Sequence, residues 1–290
     1  MSVPQKISRR ALATMTAAAA AATVMPASAA EAAFVALEAK LGARIGVMAL
    51  DTGSGRRLSN RAHERFAMCS SFKWLLAAAI LAEVDRKRLA LDQVIPYGKS
   101  DLLFTSPVTR ANVAKGGLPV VTLCQAVVEV SDNAAANRLL KLIGGPAGFT
   151  RFARSIGDNG TRLDRTEPAL NENKPGDPRD TTTPAASVAT MQKILLGDVL
   201  TPSSRQLLVG WMKTCQTGAK RLRAGLPTDW IAGDKTGTSK AGAVNDVAIA
   251  WPPGRAPILI ACYIDGPIRA LDDTEAAHAN VARHVVAAFA

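Results

Sequence analysis

The sequence predicts an α+β protein in which a layered sheet domain, built from the first and last segments, receives a helical domain between them. Three observations carry that expectation. One strand-like segment lies early, at Arg44–Asp51, and three more, 230–238, 247–251 and 258–264, cluster towards the end. Between them the apolar spacing is that of helices. The 290 residues, 48% hydrophobic and 20% charged, suffice for a sizeable core, so disordered and fibrous classes are excluded.

Taken in order, Arg44–Asp51 reads RIGVMALD and is followed by the turn signal Asp51-Thr52-Gly53-Ser54-Gly55. Residues 70–89 read as a helix whose apolar run at 74–81 implies burial on most sides. Helical patterns recur at 122–130, at 133–143 before Gly144-Gly145-Pro146, and at 148–156. Residues 158–184 show no periodicity and are rich in Asp, Asn, Thr and Pro; a loop that long in a compact domain is more often functional than idle. Thr183-Pro184 and Thr201-Pro202 each pair an N-cap with a first-turn proline. Asp272-Asp273-Thr274 is expected to cap a last amphipathic helix reaching Ala290.

The first thirty residues read as an address. Ser8-Arg9-Arg10-Ala11-Leu12 precedes an Ala-rich run of roughly 14 residues, and Ala27-Ser28-Ala29-Ala30 supplies a small-residue cleavage site. The run is shorter than the roughly 20 residues a membrane span needs. Paired arginines match a twin-arginine export signal, so the expectation is a cleaved leader and a periplasmic protein with no span in the mature chain. The net charge is +11, and loss of Lys6, Arg9 and Arg10 would leave +8.

Composition narrows the chemistry further. Only three histidines (His63, His278, His284) occur, which weakens a zinc hydrolase or a Ser-His-Asp triad. No C-x-x-C or H-E-x-x-H is present, so neither a metal nor a cofactor is expected. Aromatics at 4% and the lack of a Lys/Arg-rich run argue against a nucleic-acid partner despite the positive charge. Cys69, Cys124, Cys215 and Cys262 are scattered without framework spacing and read as buried free thiols.

Three short motifs carry the chemistry. Ser70-Ser71-Phe72-Lys73 places a hydroxyl and an amine one helical turn apart, where a desolvated lysine can serve as base to a serine nucleophile. An S-x-x-K is expected by chance roughly 0.7 times in such a chain, so alone it fits equally a serine N-cap beside a solvated lysine. Ser131-Asp132-Asn133 lies between two predicted helices and Lys235-Thr236-Gly237 ends a predicted strand; chance supplies roughly 0.03 and 0.07 of these.

With these motifs in this order, the chain resembles the class A serine β-lactamases over essentially all of the mature region. Glu167-Pro168-Ala169-Leu170-Asn171, inside the irregular segment, adds a fourth matching element. The resemblance implies a β-lactamase/transpeptidase-like α+β fold: a three-layer α/β/α domain with an antiparallel sheet from residues 31–65 and 215–290, and an all-helical domain at 66–214 that includes an omega loop at 165–180. It implies Ser70 as nucleophile, Lys73 or Glu167 as the base of acylation, Ser131 as proton relay, and Glu167 with Asn171 as the activator of the hydrolytic water. Asn133, Lys235, Thr236, Gly237 and Thr238 would bind a β-lactam. Ser70 and Thr238 would supply the oxyanion N–H groups, and Arg221 a second cation for the substrate carboxylate. Asn137, Arg165 and Asp180 would hold the loop. A small-molecule substrate and a monomer are implied. Thr105 stands where many relatives have an aromatic, with Phe104 adjacent, and Ser239 stands where some carbapenem-hydrolysing relatives bridge a cysteine to the residue before the nucleophile. A carboxypeptidase or transpeptidase shares the three motifs but lacks the water-activating glutamate, and a penicillin sensor that stays acylated would be expected to carry a membrane tether, whereas the expectation here is a cleaved leader and no later apolar span.

Overall fold

The computed structural model describes residues 26–290; residues 1–25 of the expected leader lie outside the described residues. Helix α1 (Ala27–Leu41) leads into strand β1 (Arg44–Asp51) and its hairpin partner β2 (Arg57–Asn60). The short strand β3 (Phe66–Ala67) precedes a 3-10 turn at Cys69–Phe72, which runs directly into α2 (Lys73–Asp85). Then come β4 (Val94–Pro96), α3 (Pro107–Ala111), β5 (Gly117–Pro119), α4 (Val120–Glu129), α5 (Asn133–Leu142) and α6 (Gly145–Ser155). The irregular stretch follows, closing on β6 (Thr181–Thr182), then α7 (Pro184–Met191), whose end winds into a π segment at Gln192–Leu196, and α8 (Pro202–Lys213). Strands β7 (Ile231–Thr238), β8 (Val244–Trp251) and β9 (Ile258–Asp265) and helix α9 (Leu271–Phe289) complete the chain.

The main sheet has the order β2-β1-β9-β8-β7 and is antiparallel throughout. Because β1 pairs with β9, the two ends of the chain complete one sheet. Alternation along the strands gives each face its own core. Ile45, Val47 and Ala49, with Ile258, Ile260, Cys262 and Ile264, are packed with Phe34 of α1 and with Val281, Val285 and Phe289 of α9. Leu50, Val247, Ile249, Leu259 and Ala261 turn the other way, into the apolar cluster that holds α2 and the middle helices. This is a three-layer arrangement, and the α+β class with an antiparallel sheet stands as expected.

Helix α2 explains the unbroken apolar run of its sequence. All residues from Lys73 to Ala82 are buried, so no polar stripe is needed. Phe72, at its entrance, meets Phe149 of α6 edge to face at 5.8 Å between ring centroids, a contact worth about 0.5–1.5 kcal/mol beyond its buried area. That pair anchors the turn carrying Ser70.

Several elements differ from the sequence expectation. Ser70 lies inside the 3-10 turn and caps nothing; the residue before that turn is Met68. Helix α2 ends at Asp85 rather than Leu89. Helix α6 begins at Gly145, because the two glycines take left-handed conformations, at φ 85° and 69°, that turn the chain straight into a new helix. Asp272 and Asp273 sit in the first turn of α9, whose cap position is Ala270. There they face the positive end of the helix dipole without capping it. Strand β8 starts at Val244, three residues before its apolar run, since Asn245 and Asp246 are buried within it.

Candidate active site

The 3-10 turn at Cys69–Phe72 projects Ser70 towards the edge strand β7. Cys69 takes a positive φ of 47°, a strained conformation for a side-chain-bearing residue, costing on the order of 1–3 kcal/mol. Gly237 of β7 permits the close approach on the other side. A Cβ there would lie 2.5 Å from the Met68 carbonyl oxygen and 2.9 Å from the Ser71 nitrogen. Ser239 N–H donates to the Ala243 carbonyl at 2.8 Å, so Ser239 faces its hairpin partner. By the alternation of an antiparallel ladder, Thr238 turns its N–H to the open edge, where the Ser70 turn sits.

Lys73 reaches back along the helix, and its Nζ donates to Ser70 Oγ at 3.0 Å. It also meets Ser131 O at 2.9 Å, Ser131 Oγ at 3.2 Å, the Asn133 side-chain oxygen, and Glu167 Oε1 at 2.9 Å. Five oxygens thus surround a group with three hydrogens. Burial lowers the affinity of Lys73 for its proton, and the adjacent Glu167 carboxylate acts in the opposite direction. Ser70 Oγ donates to Glu167 Oε1 at 3.3 Å, and Asn171 Nδ2 holds the other oxygen, Oε2, at 2.6 Å.

Ser131 sits between two lysines. Its Oγ accepts from Lys73 and, at 3.2 Å, from Lys235 Nζ. Ser131 too has a positive φ, 60°, imposed by the loop from α4 to α5. Asp132 fixes that loop: fully buried, it accepts from Thr109 N, Thr109 Oγ1 and Ala135 N, each at 2.9 Å, and so caps α5. Lys235 is fully buried, and burial brings its ammonium down to about 8, with the positive charges of Lys73 and Arg221 acting in the same direction.

The segment carrying Glu167 is tied at its neck and at its middle. Asp180 is fully buried and accepts from the backbone N–H groups of Asp164 (2.7 Å) and Arg165 (2.9 Å) and from Arg165 Nε (2.5 Å). Asn137 of α5 accepts from Glu167 N at 3.0 Å and donates to Glu167 O at 2.9 Å. Ser239 Oγ donates to the Asn171 carbonyl at 2.5 Å, fastening the loop to the end of β7. Asn137, Arg165 and Asp180 are thus all placed at this loop, and these are the bonds they make there.

Arg221, although flanked in sequence by Lys220 and Arg223, is no surface cation, being only 3% exposed. Its guanidinium donates to the carbonyls of Gly237 (3.0 Å) and Asn245 (2.7 Å) and to Thr238 Oγ1 (2.7 Å). Ser70, Ser131, Asn133, Asn171, Arg221, Thr236, Gly237 and Thr238 all line one cavity of about 1150 Å³, with Lys73, Glu167 and Lys235 directly beneath. Phe104 and Thr105 both reach its mouth; Phe104 is 94% exposed with the Lys240 ammonium 5.9 Å from its ring, so the aromatic edge comes from Phe104. A second cavity of similar volume, on the far side of the loop near Arg44 and Arg65, contains none of the three motifs.

The family model described as the β-lactamase enzyme family matches residues 29–289. The chain belongs to that family. Among its relatives, β-lactamase AST-1 of Nocardia asteroides is 53% identical over 79% of this chain and 73% of the relative. The carbapenem-hydrolysing β-lactamase KPC of Klebsiella oxytoca is 49% identical over 86% of this chain and 85% of its own. The solved structure of the class A β-lactamase of the last common ancestor of Gram-negative bacteria superposes with a TM-score of 0.89 at 56% identity, covering 90% of this chain and 100% of that one. The chain is thus a class A β-lactamase by family, and the resemblance read from its motifs holds.

Some groups that shape this β-lactamase site escaped the sequence reading. Thr217 shares a hydrogen bond with Thr236 through their hydroxyls, and Asp234, fully buried, pairs with Arg223. Gly218 leaves room for that acid: a Cβ there would fall 1.2 Å from Asp234 Oδ2. Asn245 and Asp246 are buried polar neighbours in an otherwise apolar strand, and that break in the pattern was the available signal. All four cysteines are buried and free, as expected; Cys69 has no partner at Ser239. Among the described residues no His, Cys, Asp or Glu cluster could hold a metal ion, and no helix is long and apolar enough to cross a membrane.

Proposed function

We propose that this enzyme hydrolyses the amide of β-lactam antibiotics through an ester on Ser70, conferring resistance to them. The supporting observation is the Ser70 hydroxyl lying between an amine at 3.0 Å and a carboxylate at 3.3 Å, with that carboxylate's second oxygen held by Asn171. Lys73 directs its N–H at Ser70, and Ser70 directs its O–H at Glu167. In acylation Ser70 Oγ bonds to the lactam carbonyl carbon as its proton passes to Glu167. The N–H groups of Ser70 and Thr238 receive the oxyanion. The C–N bond then breaks, and the departing nitrogen takes a proton from Ser131 Oγ; Ser131 regains one from Lys73, and Lys73 regains one from Glu167, which is a carboxylate again before deacylation.

Deacylation uses the same carboxylate. Glu167 takes a proton from a water held with the Asn171 amide, the water oxygen attacks the ester carbonyl, the ester C–O bond breaks, and Ser70 takes that proton back from Glu167 as it leaves. The substrate carboxylate is met by Lys235, Thr236, Thr238 and Arg221, and its amide side chain by Asn133. No step draws on a metal or cofactor. Export by a twin-arginine leader cleaved near residue 30 and a periplasmic location belong to the same proposal, supported by the Arg9-Arg10 pair and the Ala-rich run after it, and a monomeric state is proposed with them by the family resemblance alone.

Two variants test the assignment. Ser70→Ala should abolish nitrocefin turnover, and retained turnover would remove Ser70 as nucleophile. Glu167→Ala should still be acylated by a slow second route but release product slowly, leaving a covalent adduct visible by mass spectrometry. Prompt release from that variant would remove Glu167 from deacylation.

A further inference from the structure

Asn245 and Asp246 stand side by side in β8, fully buried, and neither belongs to a motif. Asn245 uses both amide hydrogens on the segment before the nucleophile, donating to Ala67 O at 2.8 Å and Met68 O at 3.0 Å. Its own carbonyl accepts from Arg221 Nη1 at 2.7 Å. Asp246 Oδ2 accepts from the backbone N–H of Leu222 at 3.1 Å, the peptide unit that follows Arg221. Arg221 is therefore gripped at its guanidinium by one residue and at its backbone by the next. The register places Asp246 opposite Thr236 and Asn245 opposite Gly237, level with the substrate-binding strand.

The charge state of Asp246 follows from its surroundings. Its second oxygen, Oδ1, has no partner, and the neighbouring arginines are engaged elsewhere, Arg221 facing Glu275 at 3.6 Å and Arg223 paired with Asp234. A fully buried carboxylate served by one backbone N–H is far costlier than the neutral acid. Burial and the nearby Asp234 both push Asp246 well above the usual carboxylate range.

We propose that Asn245 and Asp246 are the positioning residues of this active site, Asn245 holding the turn that carries Ser70 and Asp246, as a neutral acid, holding the turn that presents Arg221. The inference rests on the reading of Arg221 as a substrate cation. Ser70 and Arg221 lie 151 residues apart in sequence, and one dipeptide sets both against β7.

Stopped-flow acylation with nitrocefin separates the dissociation constant from the acylation rate constant. Asp246→Ala should weaken the dissociation constant about tenfold with acylation changed less than about twofold, because only the carboxylate cation is displaced. Asn245→Ala should do the reverse, slowing acylation about tenfold or more. Asp246→Asn keeps a neutral oxygen acceptor for Leu222 N–H and should match the parent enzyme within about twofold in both constants and in melting temperature. It also serves where the alanine variant does not fold: a weakened dissociation constant in Asp246→Asn would overturn the neutral assignment. Equal losses of both constants in both alanine variants would mark a general structural role and overturn the proposal. Arg221→Ala distinguishes the underlying reading. If Arg221→Ala leaves the dissociation constant unchanged, the assignment of Arg221 itself fails. If Arg221→Ala weakens it and folded Asp246→Ala does not, only the inference about Asp246 fails.

Discussion

Raising the pH from 7 to 10 should discharge Lys235 and separate activity from stability. Burial brings this ammonium down to about 8 from an ordinary 10.5, so at pH 10 only about one molecule in a hundred keeps the charge. The kcat/KM for a penicillin should therefore fall by up to about tenfold per pH unit above 8. Arg221 sets the floor, since its guanidinium stays charged and already bonds the Thr238 hydroxyl. Stability moves the other way. Between pH 8 and 10.5 the unfolded chain still binds a proton that the folded one has released, so the folded state gains as pH rises through that window. The full gain is about 3 kcal/mol, absent below pH 8 and complete above 10.5. The assay is a pH profile of kcat/KM together with urea unfolding at pH 7.5 and 10.5, in the parent enzyme and in Lys235→Arg. The guanidinium does not titrate, so the alkaline limb due to this site should vanish in that variant while any limb from Lys73 survives. A profile flat to pH 10, or an unchanged limb in Lys235→Arg, would refute the reasoning.

Two further substitutions probe the scaffold. Asp180→Ala removes the buried acceptor of three hydrogen bonds and leaves Arg165 without its buried partner at the loop neck, so urea unfolding should show a loss of about 3–5 kcal/mol. Deacylation should fall more than acylation, because Glu167 and Asn171 ride on that loop; equal effects on both steps would argue against it. Gly237→Ala places a methyl group 2.5 Å from the Met68 carbonyl and forces β7 away from the Ser70 turn. Acylation of Ser70 should slow by about tenfold or more, and an unchanged rate would show that the edge strand can yield without cost.

Sequence legibility followed the range of the interactions. Ser70 and Lys73 could be paired from their spacing alone, since one helical turn brings them together, and the structure gives 3.0 Å. Thr183 and Thr201 were readable as caps because the bond each makes is to an N–H three residues on. The short strands β3 to β6 were not, having two or three residues apiece and pairing across 21 to 116 residues of sequence. The site split along the same line. Its motif residues carry recognisable local patterns, whereas Thr217, Asp234, Asn245 and Asp246 act through partners far along the chain. Their one local sign is polarity inside apolar strands, and the reading started β8 just past it. Arg221 shows the limit in another form, its neighbours in sequence suggesting a solvated patch while its neighbours in space bury it.

The four cysteines bear on where this protein can be made. Each thiol is enclosed, and burial pushes Cys69, Cys124 and Cys262 far above the range in which a thiolate forms near neutrality. No bridge waits to be closed and no sulfur is open to attack, including the one beside the nucleophile. The fold therefore needs neither an oxidant nor an isomerase, and it is the same molecule in dithiothreitol as in air. A chain whose architecture holds no bridge can complete it in a reducing compartment or an oxidising one alike.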